Sequence, residues 1–345
     1  MMHRIQTEDC RNIGKLDCIV WEKLNGKTIL ITGATGLIGS NLVNALAYNS
    51  QEKGLGIRLV LPVRNEAVAR AQFGWTGAEI IPYRLGAELK TDEQVDHIIH
   101  MASPTSSHFF SEKPVDTLLA NVEGTRALLD FAKTRRIGKF ISVSSMEVYG
   151  FPDRGHRVKE NELGAFETMK ARNSYPIGKI ASEALCYGYY HQYGVPTVIL
   201  RATQTFGPGI KYEDGRVFAQ FMRCAVEGKD IVLKSTGQTE RSYLYTADAV
   251  SAILVAMDRA EPGQAYTIAN PQTYCSIRDM AQMVATRFGG GKIKVVFDIA
   301  EDITKLGYAE TLYMDLDTTK MERLGWKAET GLDEMYRRMI ESAVM

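Results

Sequence analysis

Residues 27–44, KTILITGATGLIGSNLVN, decide the fold. Thr28 to Thr32 are β-branched or apolar, as a strand buried on both faces requires. Gly33, Gly36 and Gly39 follow in the spacing GxxGxxG, and Leu42, Val43 and Leu46 then recur at helical spacing. The order is strand, glycine turn, helix. Gly33 and Gly36 let the backbone turn tightly and approach a pyrophosphate, and Gly39 lets the helix pack close to the strand. The helix N-terminus adds free N–H groups and the positive end of a dipole. In that context the trio predicts a dinucleotide site, the alternative being a glycine-rich loop packed on itself.

Working outward, Ile57–Val63 (IRLVLPV) reads as a second strand, with Pro62 counting against its end. Arg64 and Asn65 stand where such a fold meets the adenosine ribose. An acidic residue there accepts the 2′-hydroxyl and an arginine suits a 2′-phosphate, so Arg64 raises NADP; a solvated arginine at a strand end is the plainer alternative. Ala78–Pro82 and Val95–Ala102 (VDHIIHMA) read as strands, the latter ending at Ser103-Pro104. Pro114–Ala132 reads as a helix with Leu118, Val122, Ala127, Leu128 and Phe131 on its apolar face. Lys139–Ser144 is a strand, Ser174–Tyr193 a helix and Thr197–Arg201 a strand. This alternation predicts a Rossmann-type, doubly wound parallel sheet with helices on both faces.

Phe206-Gly207-Pro208-Gly209 breaks the alternation. Beyond it, Val217–Gly228, Ala247–Met257 and Ile277–Phe288 read as helices, and Ile231–Lys234 and Tyr266–Ile268 as short strands. The expected organisation is an N-terminal extension (1–26), a dinucleotide-binding domain (27–206) and a smaller mixed α/β substrate lobe (mainly 207–345), with parts returning to the large sheet. The extension is expected to be a short helical piece, with Ile19, Val20 and Trp21 packing on the body.

At 345 residues and 45% hydrophobic, the chain can bury a large domain plus a smaller lobe. Its net charge of zero gives no electrostatic case for nucleic acid. The five cysteines are scattered without a CxxC, so reduced thiols in a cytoplasmic compartment are expected, and no metal site. No apolar run approaches the ~20 residues of a membrane span. Glu8, Asp9, Arg11 and Asp17 argue against a signal peptide.

Tyr175 and Lys179 lie four apart in SYPIGKIASEA, on one face of the expected helix. A free tyrosine titrates near about 10. A neighbouring ammonium and a cationic nicotinamide ring lower that value, so the phenol can act as a base near neutral pH. Pro176 fits only a first helical turn, which puts Tyr175 at the helix start, beside the carboxyl ends of the strands. The strand KFISVSS ends in Ser144-Ser145, whose hydroxyls can reach the same substrate oxygen.

TGATGLIG, HMASP, NVEGT, SSMEVYG, YPIGK and FGPG, in this order, resemble the extended short-chain dehydrogenase/reductase family. More narrowly they resemble its nucleotide-sugar epimerases, dehydratases and decarboxylases, over Lys27 to Trp326. The resemblance implies a catalytic Ser145, a tyrosine base at Tyr175, and a lysine at Lys179 that binds the ribose and lowers the tyrosine pKa. Asn121, in ANVEGT, is similar to the fourth member of the family's tetrad. By the same resemblance the cofactor contacts Gly33, Thr35, Gly36, Leu37, Ile38 and Gly39, and Ala102 and Ser103 border it. Arg241, in TERSY, matches an arginine that binds the substrate's phosphate. Arg216, in DGRVF, is implied as a further substrate contact. Gln204 stands where many relatives have an asparagine touching the substrate. The implied chemistry is transient oxidation of a sugar hydroxyl at C4: Tyr175 removes the proton, hydride passes to the nicotinamide, and Ser145 steadies the oxygen.

Few residues decide which reaction follows. The family's hexose 4,6-dehydratases carry Asp-Glu before VYG, and here Met146 replaces the proton-donating Asp. Ser145-Met146-Glu147 instead resembles the Ser/Thr-x-Glu of UDP-glucuronate decarboxylases, as do HMASP and DGRVF. The resemblance therefore favours a UDP-glucuronate decarboxylase-like enzyme acting on a nucleotide sugar. The alternatives are a 4-epimerase, a dehydratase, a keto-sugar reductase, or a non-catalytic dinucleotide sensor, against which the intact Ser, Tyr and Lys argue. NAD is the expected cofactor. NADP stays open, because of Arg64 and because YRLGAEL (83–89) lacks the usual aspartate for adenine. Family habit also implies a homodimer that pairs helices Pro114–Ala132 and Ser174–Tyr193 into a four-helix bundle.

Overall fold

A computed structural model describes residues 2–299 and 311–343; the remaining positions of the expected extension and lobe lie outside the described residues. In chain order the first elements are α1 (Arg4–Ile13), β1 (Thr28–Thr32), α2 (Leu37–Lys53), β2 (Arg58–Val63), α3 (Glu66–Phe73), β3 (Glu79–Pro82) and β4 (His97–His100). Then come α4 (Ser107–Glu112), α5 (Pro114–Lys133), β5 (Lys139–Ser145), β6 (Arg157–Val158), α6 (Ser174–Tyr193), β7 (Thr197–Ala202) and β8 (Gln204–Phe206). The remainder is α7 (Val217–Glu227), β9 (Ile231–Leu233), β10 (Glu240–Tyr245), α8 (Thr246–Arg259), β11 (Gln264–Ile268), β12 (Asn270–Ser276), α9 (Ile277–Phe288), β13 (Val295–Phe297), β14 (Tyr313–Leu316), α10 (Thr319–Glu322) and α11 (Leu332–Ala343).

Seven strands form the large sheet, in the order β11-β7-β5-β4-β1-β2-β3, and all its pairings are parallel. β1 and β7 are buried along their whole length because both faces of the sheet are covered. Side chains alternate between the faces. Ile29 and Ile31 of β1 pack with Leu42 and Leu46 of α2 and Ile253 of α8. Leu30 packs on the other side with Leu128 and Leu129 of α5 and Cys186 of α6. Pro62 is tolerated inside β2 because pairing with β1 ends at Val60, so only β3 stands opposite the proline. The strand order reverses beside β1, where β4 leads one way and β2 the other. In such sheets ligands bind outside the carboxyl ends at this reversal.

A smaller sheet runs β12-β10-β14-β6, with β8 also paired to β10. It draws β6 and β8 from before Gly207 and β10, β12 and β14 from after it, while β11 returns to the edge of the large sheet. The chain thus crosses between sheets several times. One crossing, between β7 and β8, is fixed where Thr203 donates to the Ser242 carbonyl at 2.6 Å. The FGPG loop that follows is tied to α2 by Asn41, which donates to the Pro208 carbonyl at 3.1 Å.

Helix α1 begins with a capping box between His3 and Gln6 and buries Ile5, Cys10 and Ile13. Ile19 and Trp21 are buried in the main core, and Val20 is half-buried. Asp9 anchors α1 to the rest of the protein. It pairs with Arg338 of α11 at 2.7 Å and accepts from the Tyr245 hydroxyl at 2.7 Å, while Arg338 Nε donates to the same hydroxyl oxygen at 2.8 Å. Burial pushes the Asp9 carboxyl up to about 6, against the pull of Tyr245 and Arg338.

Candidate active site

The carboxyl ends of β1, β4 and β5 lie side by side, with Thr32 opposite His100 and His100 opposite Ser142. Three loops therefore meet at one edge of the sheet. After β1, Gly33 adopts φ +73°, and a Cβ there would stand 2.8 Å from the Ala102 nitrogen, so no side chain fits between this turn and the loop after β4. A Cβ on Gly39 would stand 2.2 Å from the Gly33 carbonyl oxygen, so α2 starts directly against the turn. No side chain caps that helix start, where Gly36 is the N-cap. A Cβ on Gly36 would meet only the Gly33 carbonyl oxygen within contact range. Thr35 and Gly36 are exposed, and Leu37 and Ile38 are half-buried. Uncapped backbone N–H groups in a side-chain-free cradle are donors suited to a dinucleotide pyrophosphate, so these residues fit the group.

The β4 side is held by buried polar contacts. His100 bridges Thr32 at 2.8 Å and Thr125 at 3.2 Å. Burial, with the nearby Lys179 charge, pushes its imidazole down to about 3. Ser103 donates to Asn121 Oδ1 at 2.9 Å, and Asn121 is itself buried between α5 and α6, its main-chain carbonyl accepting from Ser182 at 2.9 Å. Asn121 thus positions the loop, and the structure gives it no hydrogen bond to Ser145, Tyr175 or Lys179.

Tyr175 is the second residue of α6, with Pro176 in the first turn as its fixed φ requires. Lys179, one turn on, donates to the Val143 carbonyl at 3.0 Å. Burial lowers its ammonium to about 8, against the attraction of Glu183. Tyr175, Lys179 and Glu183 follow at four-residue steps, and only the first two stand out by motif. Glu183 makes a buried two-pronged pair with Arg201 of β7, at 2.7 Å in its shorter contact, and accepts from Ser144 at 2.5 Å. This network underlies the end of β5, which Ser145 terminates. The Ser145 hydroxyl accepts from the Glu147 N–H at 3.2 Å and faces the Tyr175 phenol. Burial, then the Glu147 charge, raises the phenol above its ordinary value; Ser145, Arg172 and Arg216 pull it down.

Two residues with no periodic or motif signal join the site. Phe110 of α4 lies face to face with Tyr175, ring centroids 4.2 Å apart and 5° from parallel. Arg172, in the 3-10 turn Ala171–Asn173, grips both carboxylate oxygens of Glu147 at 2.9 and 3.1 Å. Met146 turns away: its side chain is 5% exposed and packs with Val148, Tyr149 and Met314. That position is closed to acid chemistry by burial as well as by residue type.

The substrate side is partly assembled. Arg216 is clamped by Asp214 at 2.7 and 2.9 Å, and its charge reaches the phenol. Arg241 of β10 donates to Gln204 of β8 at 3.3 Å, and its buried Nε has no partner among the described residues. An unmet guanidinium donor fits an incoming anion. Arg64 is exposed at the end of β2, where Asn65 is committed to capping α3 through Val68. Among the described residues no group of His, Cys, Asp or Glu could hold a metal ion, and no helix is long and apolar enough to cross a membrane.

The profile of the NAD dependent epimerase/dehydratase family matches residues 29–269. The chain is 30% identical over 321 residues to UDP-glucuronic acid decarboxylase 1 of Xenopus tropicalis, covering 91% of this chain and 71% of that protein. Among solved structures it resembles a UDP-glucose 4-epimerase of Thermotoga maritima (TM-score 0.76, 21% identity, 92% and 98% of the two chains). It also resembles a UDP-glucuronic acid 4-epimerase of Bacillus cereus solved with UDP-glucuronic acid and NAD (TM-score 0.74, 22% identity, 91% and 98%). At these identities the two structures bear on the fold alone.

Proposed function

Because this chain belongs to the NAD dependent epimerase/dehydratase family, we propose that it oxidises the C4 hydroxyl of a nucleotide sugar transiently, as a UDP-glucuronate decarboxylase-like enzyme. The observation that carries the choice of reaction is Glu147, held in the turn after Ser145 by Arg172 at 2.9 and 3.1 Å. It stands where the decarboxylases carry glutamate, beside a buried Met146 that cannot serve a dehydratase.

In this reading residues 27–206 hold the dinucleotide and residues 207–345 mainly the sugar nucleotide. The bound nicotinamide supplies a hydride acceptor that can also return the hydride. Tyr175 Oη takes the proton from the C4 hydroxyl, and Ser145 Oγ donates to the same sugar oxygen. Lys179 keeps a positive charge beneath the phenol at neutral pH, since its ammonium titrates at about 8. A ketone at C4 of a uronate makes a β-keto acid, which loses carbon dioxide. Arg241, whose Nε has no partner among the described residues, takes the substrate phosphate, and Gln204 and Arg216 flank the sugar. Gly33, Gly36 and Gly39 carry the pyrophosphate. NAD suits a cycle that regenerates its cofactor; Arg64 is the residue through which NADP would be accepted. A cytoplasmic location belongs to the same reading, supported by five cysteines that form no disulfide.

A homodimer through α5 and α6 is also proposed. Val115 and Leu119 of α5 and Tyr187 and Tyr190 of α6 are exposed. Light scattering of the wild type and Leu119→Glu tests this: a dimer that becomes a monomer supports it, and a monomeric wild type overturns it.

The test of function is mass spectrometry of the products after incubation with UDP-glucuronate and NAD. Release of carbon dioxide with a UDP-pentose supports the decarboxylase. An isomer of unchanged mass moves the assignment to a 4-epimerase. No product from any nucleotide sugar, despite NAD binding, leaves the sensor reading.

A further inference from the structure

Glu147, Arg172, Phe110 and Tyr175 form one chain of pairwise contacts. Arg172 holds Glu147 through two parallel contacts of 2.9 and 3.1 Å. Its guanidinium carbon lies over the Phe110 ring, 5.1 Å from the ring centre, and that ring stacks on Tyr175 with centroids 4.2 Å apart. Phe110 is 2% exposed and Tyr175 8%, whereas the Glu147 and Arg172 side chains remain about one-quarter open at 29% and 28%. The ion pair is therefore the more open end of this chain of contacts, and the Tyr175 ring its buried end. The Ser174 hydroxyl also donates to the Phe110 carbonyl at 3.3 Å, fixing α4 to the start of α6.

We propose that Arg172 is a positioning residue of this site: its fork fixes the Glu147 carboxylate, its face seats Phe110 on Tyr175, and its charge offsets the carboxylate that faces the phenol. Arg172 need not touch substrate or cofactor. A planar fork is required for this geometry, because a lysine offers a point charge that neither orients both carboxylate oxygens nor lies flat on a ring. The inference rests on the reading of Tyr175 as the base.

The charges around the phenol come from several elements. Glu147 acts from the turn after β5, Arg172 from the turn before α6, Arg216 from the start of α7, and Lys179 lies one turn along α6, 5.8 Å from the centre of the tyrosine ring. Ser145, at the end of β5, is the hydrogen-bonding neutral group. Arg172 is the cation bonded directly to Glu147, so the two should act on the phenol with opposite signs and cancel.

The test is the ionisation of Tyr175 in the NAD-bound protein, followed by NMR of tyrosine labelled with carbon-13 at Cζ and assigned with Tyr175→Phe. Arg172→Met should raise the midpoint by about one pH unit, as loss of a nearby opposite charge does. Glu147→Gln should lower it, and the double variant should return it to within a few tenths of a unit of the wild type. Arg172→Lys should keep the midpoint near the wild type while kcat falls about tenfold at unchanged KM, because charge survives and the fork does not. Coincident titrations of folded wild type and Arg172→Met, or a double variant that does not cancel, overturn the proposal. Turnover of Tyr175→Phe tests the base reading separately, since the NMR titration reads the phenol and not the reaction.

Discussion

Ser103 donates a hydrogen bond to Asn121 Oδ1 at 2.9 Å, which ties the loop after β4 to the middle of α5. Asn121 Nδ2 in turn donates to Thr117, and a Cβ on Gly178 of α6 would stand 3.2 Å from the Asn121 Cβ. One buried amide thus sets the cofactor-side loop relative to two helices. Asn121→Ala should weaken NAD binding about tenfold and cost about 1–3 kcal/mol of stability. Titration of NADH fluorescence and urea unfolding check the two effects; unchanged NADH affinity would reduce Asn121 to a packing residue.

Tyr175→Phe deletes only the hydroxyl and keeps the ring on Phe110. Turnover should fall by about 10²–10⁴-fold, the range for losing a positioned general base. NAD binding should persist, as measured by calorimetry. Wild-type turnover in this variant would remove Tyr175 from the chemistry.

His100 makes stability depend on pH. Its folded pKa, about 3, lies below the free value of 6.5, so burial favours the neutral ring. The stability it contributes is fully present above pH 6.5 and is lost as pH falls toward about 3. Between pH 7 and pH 5 the loss should be about 2 kcal/mol. Urea unfolding at both values should show the wild type losing about that much more than His100→Gln, which keeps a hydrogen-bonding side chain without the titration. Parallel losses in the two proteins would rule out His100 as the source.

Breaking the Asp9–Arg338 pair should be costly because it leaves a carboxylate buried without its counter-charge. Arg338→Ala should destabilise the protein by about 3–5 kcal/mol. The variant Asp9→Leu/Tyr245→Phe/Arg338→Met removes all three polar partners and should recover much of that loss. Thermal unfolding of the two variants side by side makes the comparison.

The large sheet was legible because its strands carry apolar runs such as ILI in β1 and VIL in β7 and its glycine turn has a fixed spacing. Ser174–Tyr193 was read to the residue, helped by Pro176 in its first turn. Strands β6, β8, β10, β12, β13 and β14 were not read. β6, β8, β13 and β14 are short, β10 and β12 open on polar residues, and several of these pairings depend on partners distant in sequence, as when Arg157 of β6 stands beside Asp315 of β14. In the site, motif spacing pointed to Ser145, Glu147, Tyr175 and Lys179, and the fold brings them to one edge of the sheet. Phe110 and Arg172 escaped because α4 and a 3-10 turn carry no periodic pattern. Glu183 was readable in principle, four residues beyond Lys179 on the face that Tyr175 opens. Met146 shows the converse: its identity was informative, but its inward direction could only come from the core that Val148 and Met314 share with it.

The contact between Asp9 and Arg338 spans 329 residues, which gives it a meaning in time as well as in space. Contacts this distant in sequence form late, because the intervening chain must first be ordered. Helix α1 precedes α11 in the chain and can be paired with it only once α11 has been made. Gly209 in the FGPG loop packs against α1. A Cβ there would stand 3.1 Å from the Gln6 amide nitrogen of α1 and 3.5 Å from that of Asn41 in α2. The FGPG loop, tied to α2 by Asn41, is therefore backed by α1, a helix whose own buried ion pair closes only with α11, so a chain lacking α11 would present that loop to a helix not yet fixed.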